Sequence, residues 1–256
     1  MVTGASSGIG ACFADALPRT TGLLLSGRDE ARLKALADRQ AGEGRTVEVM
    51  AANLSDRADR ERLIEKAEAL GVDLLINNAG YGAFGRFVEN ELETELDMVT
   101  VNVTAVVHLT HAMLPGMVAR AKRDGGRAGV ITVSSTAAFA PLPMFATYAA
   151  TKTFELSFSE ALAEEMKNEP VDILAVCPGA TRTDFFNRAK MPGGMMPGYE
   201  EPEAVARKGL DALGRRRVLV SRAGARLALT PVTFPRRAVV GGIGRFMRGL
   251  AERGNR

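Results

Sequence analysis

Apolar residues along this chain fall into two patterns that take turns. Short, mostly apolar runs at 23–26, 46–50, 72–76, 129–133, 171–176 and 218–220 read as strands. The run at 72–76 is apolar apart from Asp73 near its start, as expected of a strand buried on both faces of a parallel sheet. Between the runs, apolar side chains recur at helical spacing. They are Phe13, Ala14, Ala16 and Leu17; Leu33 and Leu36 within 29–41; and Leu63, Ile64, Ala67 and Leu70 in a helix capped by Ser55. One long helix is expected over 92–120, disturbed near its end by Pro115, with further helices at 149–167 and 203–213. This alternation predicts an α/β chain: a doubly wound parallel sheet of about seven strands, helices on both faces, joined by right-handed crossovers. A length of 256 residues fits a single domain with one substantial core. A central strand usually needs about five or six residues, yet only 1–3 precede the first turn. The first strand therefore reads as clipped, from a start site placed late or a shortened chain.

Ligand sites in such sheets lie at the carboxyl ends of the strands, and the residues able to do chemistry gather there. Gly4, Gly8 and Gly10, between the first strand and a helix, form a loop whose backbone can approach a pyrophosphate and whose helix N–H groups can hold it, although the spacing is not G-x-G-x-x-G. At the end of the second strand Gly27 leaves no carboxylate for a ribose 2′-hydroxyl, while Arg28 offers a guanidinium for a 2′-phosphate. That favours NADP(H) over NAD(H), with Asp29 serving as the N-cap of the next helix. The fourth strand ends in Asn78-Ala79-Gly80, small and polar, and Pro178-Gly179 follows the sixth. Asn102, inside an apolar helical stretch, needs a partner if buried. Tyr148 and Lys152 leave one helix face a turn apart. A free phenol titrates near pH ~10, and a cation beside it favours phenolate, which moves it toward neutral acid–base work. Ser135, at the end of the fifth strand, could hydrogen-bond the oxygen that gains or loses the proton. His108 and His111 have no third ligand nearby and read as packed or interfacial, so no metal is expected.

Composition narrows the setting. Cys12 and Cys177 have no metal-type spacing and suggest no disulfide framework, which fits a reducing cytoplasm. No run of eighteen apolar residues and no charged-then-apolar leader is present. The net charge of +3 conceals an asymmetry: residues 1–200 carry 20 Lys and Arg against 26 Asp and Glu, and 201–256 carry 13 against 4. The basic extension over about 224–256, with Arg236, Arg237, Arg245 and Arg248 among apolar residues, suits core packing, a second subunit or peripheral contact with a membrane. Nucleic acid is disfavoured, since the tail holds only Phe234 and Phe246 as aromatics and no binding motif.

Together the motifs resemble the short-chain dehydrogenases/reductases in their shorter form, a Rossmann-like family. The resemblance rests on T-G-x-x-x-G-x-G at 3–10, N-N-A-G at 77–80, Asn102, Ser135, Y-x-x-x-K at 148–152 and P-G-x-x-x-T at 178–183, in order over roughly 1–185. It implies Asn102, Ser135, Tyr148 and Lys152 as a catalytic tetrad. Ser135 would hold the carbonyl and Tyr148 would donate the proton. Lys152 would lower the phenol's pKa and hold the nicotinamide ribose, and Asn102 would anchor a water leading from Lys152 to solvent. It further implies a cofactor held by Thr3, Gly4, Ser6, Ser7, Gly8, Ile9, Gly10, Arg28, Asn53, Leu54, Asn78, Ala79, Gly80, Pro178, Gly179, Thr181 and Thr183, besides Tyr148 and Lys152. Asn53 stands where the family commonly has Asp, so weaker adenine recognition is expected. A homo-oligomer built on the long helices is also implied.

The stretch between Ser135 and Tyr148 is uncharged and holds Phe139 and Leu142, which suggests an apolar substrate wall. Over about 183–202, Met191, Met195 and Met196 among glycines suggest an adaptable lid. These features favour a small lipophilic carbonyl or alcohol as substrate. The leading expectation is an NADP(H)-dependent reductase or dehydrogenase. The alternatives are a catalytically idle NADP(H)-binding sensor or scaffold and a lipid ketoreductase at a membrane surface.

Overall fold

The structure is a computed structural model that describes residues 1–222, apart from 43 and 192–197, and Gly224. Residues 192–197 of the expected lid, with Met195 and Met196, and the basic segment after 224 thus lie outside the described residues. Seven parallel strands form one sheet in the order β3-β2-β1-β4-β5-β6-β7. They are β1 (Val2–Thr3), β2 (Leu23–Gly27), β3 (Val47–Ala51), β4 (Leu74–Asn77), β5 (Ala128–Val133), β6 (Val171–Cys177) and β7 (Val218–Val220). The order reverses direction at β1 and β4, where a doubly wound sheet opens its ligand crevice.

Both faces of the sheet are covered, as continuously apolar strands require. Leu24, Leu75 and Val130 point to one side and join Leu63 of α3 (Arg57–Ala69) and Leu109, Met113 and Met117 of α5 (Ala105–Asp124). Their neighbours Leu25, Ile76 and Ile131 point to the other side. There they meet Phe13 of α1 (Gly8–Ala16), Leu33 and Leu36 of α2 (Glu30–Gln40) and Val205 of α8 (Pro202–Ala212). Each such fully buried side chain stabilises the fold by ~1.5–3 kcal/mol. The first strand is as short as expected, with Val2 in register with both Leu25 and Ile76. The Met1 amino group is buried, donates to the Leu74 carbonyl at 2.6 Å, and is pushed down to about 5 by burial.

Two local expectations are corrected. The helical stretch from Leu92 is not disturbed at Pro115, which α5 accommodates without a break. It is interrupted earlier, where α4 (Leu92–Val99) passes through a π-helical turn (Thr100–Thr104) into α5. The buried stripe Leu109, Met113 and Met117 on the sheet is what the apolar content of this helix serves. The cap of α3 is Asp56 and not Ser55: the Asp56 carboxylate accepts from the Asp59 N–H at 3.0 Å. The Ser55 hydroxyl instead donates to Asn53 Oδ1 at 2.8 Å. The expected cap of α2 holds, with Asp29 accepting from the Arg32 N–H at 3.0 Å. Asp56→Ala should therefore lower the urea midpoint of unfolding, whereas Ser55→Ala should leave it nearly unchanged; equal effects would contradict the observed cap.

Candidate active site

A cleft of about 850 Å³ runs along the carboxyl edge of the sheet. Its first half is built by α1. This helix opens on Ser7, whose side chain makes no capping bond, so its leading N–H groups are left for a ligand. Gly4 turns the chain with φ +64°, and a Cβ there would lie 2.9 Å from Ala79 Cα. Gly4, Ser6, Ser7, Gly8 and Ile9 line the cleft. Gly27 leaves the end of β2 open beside Arg28, and the buried Ser26 hydroxyl nearby has no hydrogen-bond partner in the protein. Asn53, Leu54, Asn78, Ala79 and Gly80 continue the lining, and Pro178, Gly179, Thr181 and Thr183 close the far side. A bare phosphate loop, an orphaned hydroxyl and a strand end without a side chain fit a dinucleotide.

Three residues expected at the cofactor or in the tetrad do not line the cleft but support it. The Thr3 hydroxyl donates to the Ile76 carbonyl at 3.2 Å and accepts from the Asn78 and Ala79 N–H groups, each at 3.0 Å. Gly10 is a point of close approach, since a Cβ there would lie 2.4 Å from both the Gly4 carbonyl oxygen and Asn78 Nδ2. Asn102 is fully buried in the π turn. Its amide accepts from the Tyr81 N–H at 3.2 Å and donates to the Tyr81 carbonyl and the Thr151 hydroxyl, each at 3.0 Å. The wider turn rotates Asn102 toward this partner, a use of π turns common at functional sites.

The second half of the cleft holds the reactive groups. Ser135 follows β5, and its hydroxyl accepts from the Ala137 N–H at 3.1 Å. Tyr148 and Lys152 lie on α6 (Ala146–Glu165), both buried and both facing the cleft. Rings surround the phenol: Phe145 at 5.3 Å and Phe185, from α7 (Phe185–Arg188), at 5.2 Å between centroids. Burial pushes the Tyr148 phenol up, Lys152 and the Ser135 hydroxyl pull it back, and Glu155 pushes it further up. Its pKa is raised overall: Lys152 pulls in the expected direction, and burial outweighs it.

Glu155 is the residue the sequence reading missed. Both its carboxylate oxygens lie 2.9 Å from Lys152 Nζ, which also donates to the Val133 carbonyl at 3.0 Å. Burial works against the Lys152 charge, but Glu155 and Tyr148 outweigh it and raise its pKa. Burial lifts the Glu155 carboxyl to about 7 against the pull of Lys152. A charged residue three positions after Lys152, on the same inward face, was the available signal.

Leu142, Met191 and Phe145 line the substrate end, with Tyr81, Phe84 and Phe186. Phe139 does not. The short 3₁₀ turn Thr136–Phe139 rotates its ring away to pack with Leu156, Cys177 and Val220. His108 Nδ1 accepts from Arg60 Nε at 3.2 Å, and no metal-binding group occurs among the described residues.

Comparison with known proteins agrees with this geometry. The family model for short chain dehydrogenase matches residues 1–192. The very-long-chain 3-oxoacyl-CoA reductase of Kluyveromyces lactis is 32% identical over 225 residues, which cover 84% of this chain and 63% of that relative. The chain thus spans less than two thirds of that protein's length. A short-chain dehydrogenase from Sphingobium yanoikuyae in complex with NADPH is 31% identical, with 93% of each chain covered and a TM-score of 0.81. The bulky-bulky ketone specific alcohol dehydrogenase from Comamonas testosteroni is 27% identical, covering 93% of this chain and 91% of its own, with a TM-score of 0.77. A doubly wound sheet with its cleft at the carboxyl edge is the architecture of a dinucleotide-binding fold. The chain belongs to the short-chain dehydrogenase/reductase family.

Gly10→Ala should destabilise the protein by ~1–3 kcal/mol through overpacking and weaken nucleotide binding at the same time. Thermal unfolding with and without NADPH reads both effects, and retention of a wild-type ligand-induced shift would show that the close approach is not needed.

Proposed function

We propose that this protein is an NADP(H)-dependent reductase of lipophilic ketones or aldehydes. The observation that carries the reading is that one cleft is lined at one end by the phosphate loop and Arg28 and at the other by Ser135, Tyr148 and Lys152 under an aromatic wall. When bound, NADPH supplies a hydride to the carbonyl carbon. The Ser135 hydroxyl holds the carbonyl oxygen, and Tyr148 gives that oxygen its proton as the alcohol forms. A buried phenol with a raised pKa carries the proton at neutral pH. Lys152 limits the cost of the phenolate left behind. Arg28, with Arg32 also lining the cleft, supports a 2′-phosphate. Phe84, Leu142, Phe145 and Phe186 support a lipophilic substrate, and the likeness to a very-long-chain 3-oxoacyl-CoA reductase and a bulky-bulky ketone specific alcohol dehydrogenase supports the same reading. Exposed Leu92, Leu96, Val99 and Val107 along α4 and α5 support pairing with a second copy.

One observation favours the idle sensor instead: Lys152 is fully engaged by Glu155 and Val133. NADPH oxidation with a panel of lipophilic ketones and aldehydes separates the two readings. In the reductase, Tyr148→Phe should lower kcat by ~10²–10⁴-fold while NADPH still binds; binding without turnover of any carbonyl by the wild type would favour the sensor. For the cofactor, Arg28→Ala should raise KM for NADPH by ~10-fold or more, the loss of one charge-assisted contact, and leave KM for NADH nearly unchanged. Equal effects on both cofactors would remove Arg28 from the 2′-phosphate.

A further inference from the structure

Glu155 is an ionisable side chain that has no direct part in the hydride or proton transfer described above and that the packing of α6 does not require. It is 1% exposed and stands between Lys152 and Leu156 on the inward face of the helix, where an apolar side chain would pack. An ammonium has three hydrogens to donate. Lys152 directs them to the two Glu155 oxygens and the Val133 carbonyl, with Nζ 5.8 Å from the centroid of the Tyr148 ring. A pair buried this deeply is a weak source of stability, because desolvation offsets its attraction. It is well placed for something else, since an anion beside an ammonium cancels part of the field that the ammonium exerts on a neighbouring phenol.

The surroundings isolate this interaction. On α6 the titratable groups facing Glu155 are Lys152 and Tyr148, and from β6 the Cys177 thiol, which burial and Glu155 push up to about 12. Glu160, farther along α6, also acts on Cys177. The β5 strand, the 136–139 turn and the π turn contribute no charged side chain. On α4, Glu95 accepts from Asn90 and Asp97 from Tyr81. Asp172 of β6 is held by Arg127.

We propose that Glu155 is a positioning residue for hydride transfer: its carboxylate holds the Lys152 ammonium inward against the Val133 carbonyl and restrains the pull of that charge on the Tyr148 phenol. The inference rests on the reductase reading of Ser135, Tyr148 and Lys152. With Glu155 ionised the pair is neutral and the phenol keeps its proton. With Glu155 protonated the ammonium acts uncompensated and the phenol becomes more acidic. A carboxyl lifted by burial to about 7 makes that change within the neutral range.

The test is a spectroscopic titration of the phenol in the full-length protein, following ultraviolet phenolate absorbance and isolating Tyr148 as the difference from Tyr148→Phe. Glu155→Gln keeps the shape and removes the charge, and should lower the Tyr148 midpoint by about one pH unit or more. The ascending limb of the pH profile of kcat for alcohol oxidation, which follows formation of the phenolate, should move in the same direction. Glu155→Asp keeps the charge but sets it back by a methylene, and its midpoint should fall between the two; it carries the test if the glutamine variant does not fold. A lowered melting temperature with an unchanged Tyr148 midpoint in the folded variants would make Glu155 a structural ion-pair partner only and overturn the proposal. The titration needs no substrate, so a wild type that reduces no carbonyl counts against the reductase reading, while turnover with coincident titrations counts against the role of Glu155.

Discussion

The site hangs on a clasp between two strand ends. Thr3 closes β1, and its hydroxyl takes the Asn78 and Ala79 N–H groups just past β4 while giving its own hydrogen to the Ile76 carbonyl. Asn78 answers by donating its amide to the Thr3 and Gly4 carbonyls, at 2.9 and 3.3 Å. In the neighbourhood of a buried polar group every unmet donor costs ~1–3 kcal/mol, so this reciprocal set fixes the phosphate loop against the loop after β4. From there the constraint passes on. Gly80 is so close to the next layer that a Cβ would meet Asn102 Oδ1 at 3.0 Å and Lys152 Nζ at 3.3 Å. Tyr81 is gripped through both backbone polar groups by the Asn102 amide. The hydroxyl that ends the first strand thereby sets the distance between the nucleotide loop and the reactive helix.

The second constraint is electrostatic. An isolated charge inside a protein is expensive, and the usual remedies are a partner and hydrogen bonds from fixed groups. The catalytic end uses both. Lys152 meets a carboxylate and a backbone carbonyl, and its own carbonyl accepts from the Ser134 hydroxyl at 2.7 Å. The bonds to Val133 and Ser134 tie α6 to the carboxyl end of β5, so the phenol is positioned by a helix that cannot slide without breaking buried hydrogen bonds. Positioning and charge compensation are one set of bonds.

Sequence reading reached the sheet, the nucleotide loop and the reactive trio because each rests on local rules. Apolar runs between helical stripes dictate the layers, and glycines with a phenol and an ammonium four residues apart dictate the chemistry. Rules of that kind do not determine which way a side chain turns once neighbours arrive. Ser55 and Asp56 are both good caps, and Asn53, by taking the Ser55 hydroxyl, decides between them. In the π turn Asn102 bonds Tyr81, a partner on the loop after β4 that helical periodicity does not reveal. Phe139 looked like pocket wall from composition alone, but the 3₁₀ turn at 136–139 carries its ring into the core behind β6. Glu155 was hidden by the ordinary expectation that a glutamate on a helix faces water. Thr3 and Gly10 belong to the nucleotide motif, yet one is a clasp and the other a contact point, roles that spacing cannot separate from ligand contact.

On the proposed reading, substrate character and reaction direction follow from the same walls. A reductase needs Tyr148 protonated at the start, and rings at 5.2 and 5.3 Å withdraw water from around it, which disfavours phenolate. Those rings are also the surface offered to a lipophilic carbonyl. A pocket wet enough for a sugar would hydrate the phenol, remove part of the upward push on its pKa and leave Lys152 free to favour the phenolate that alcohol oxidation requires. An apolar pocket makes the opposite choice, provided the ammonium beside the phenol is restrained. The Glu155 carboxylate, bound to that ammonium through both oxygens, supplies the restraint. Changing the walls for a polar substrate would therefore also shift the balance between reduction and oxidation, because both depend on how much water reaches one oxygen atom.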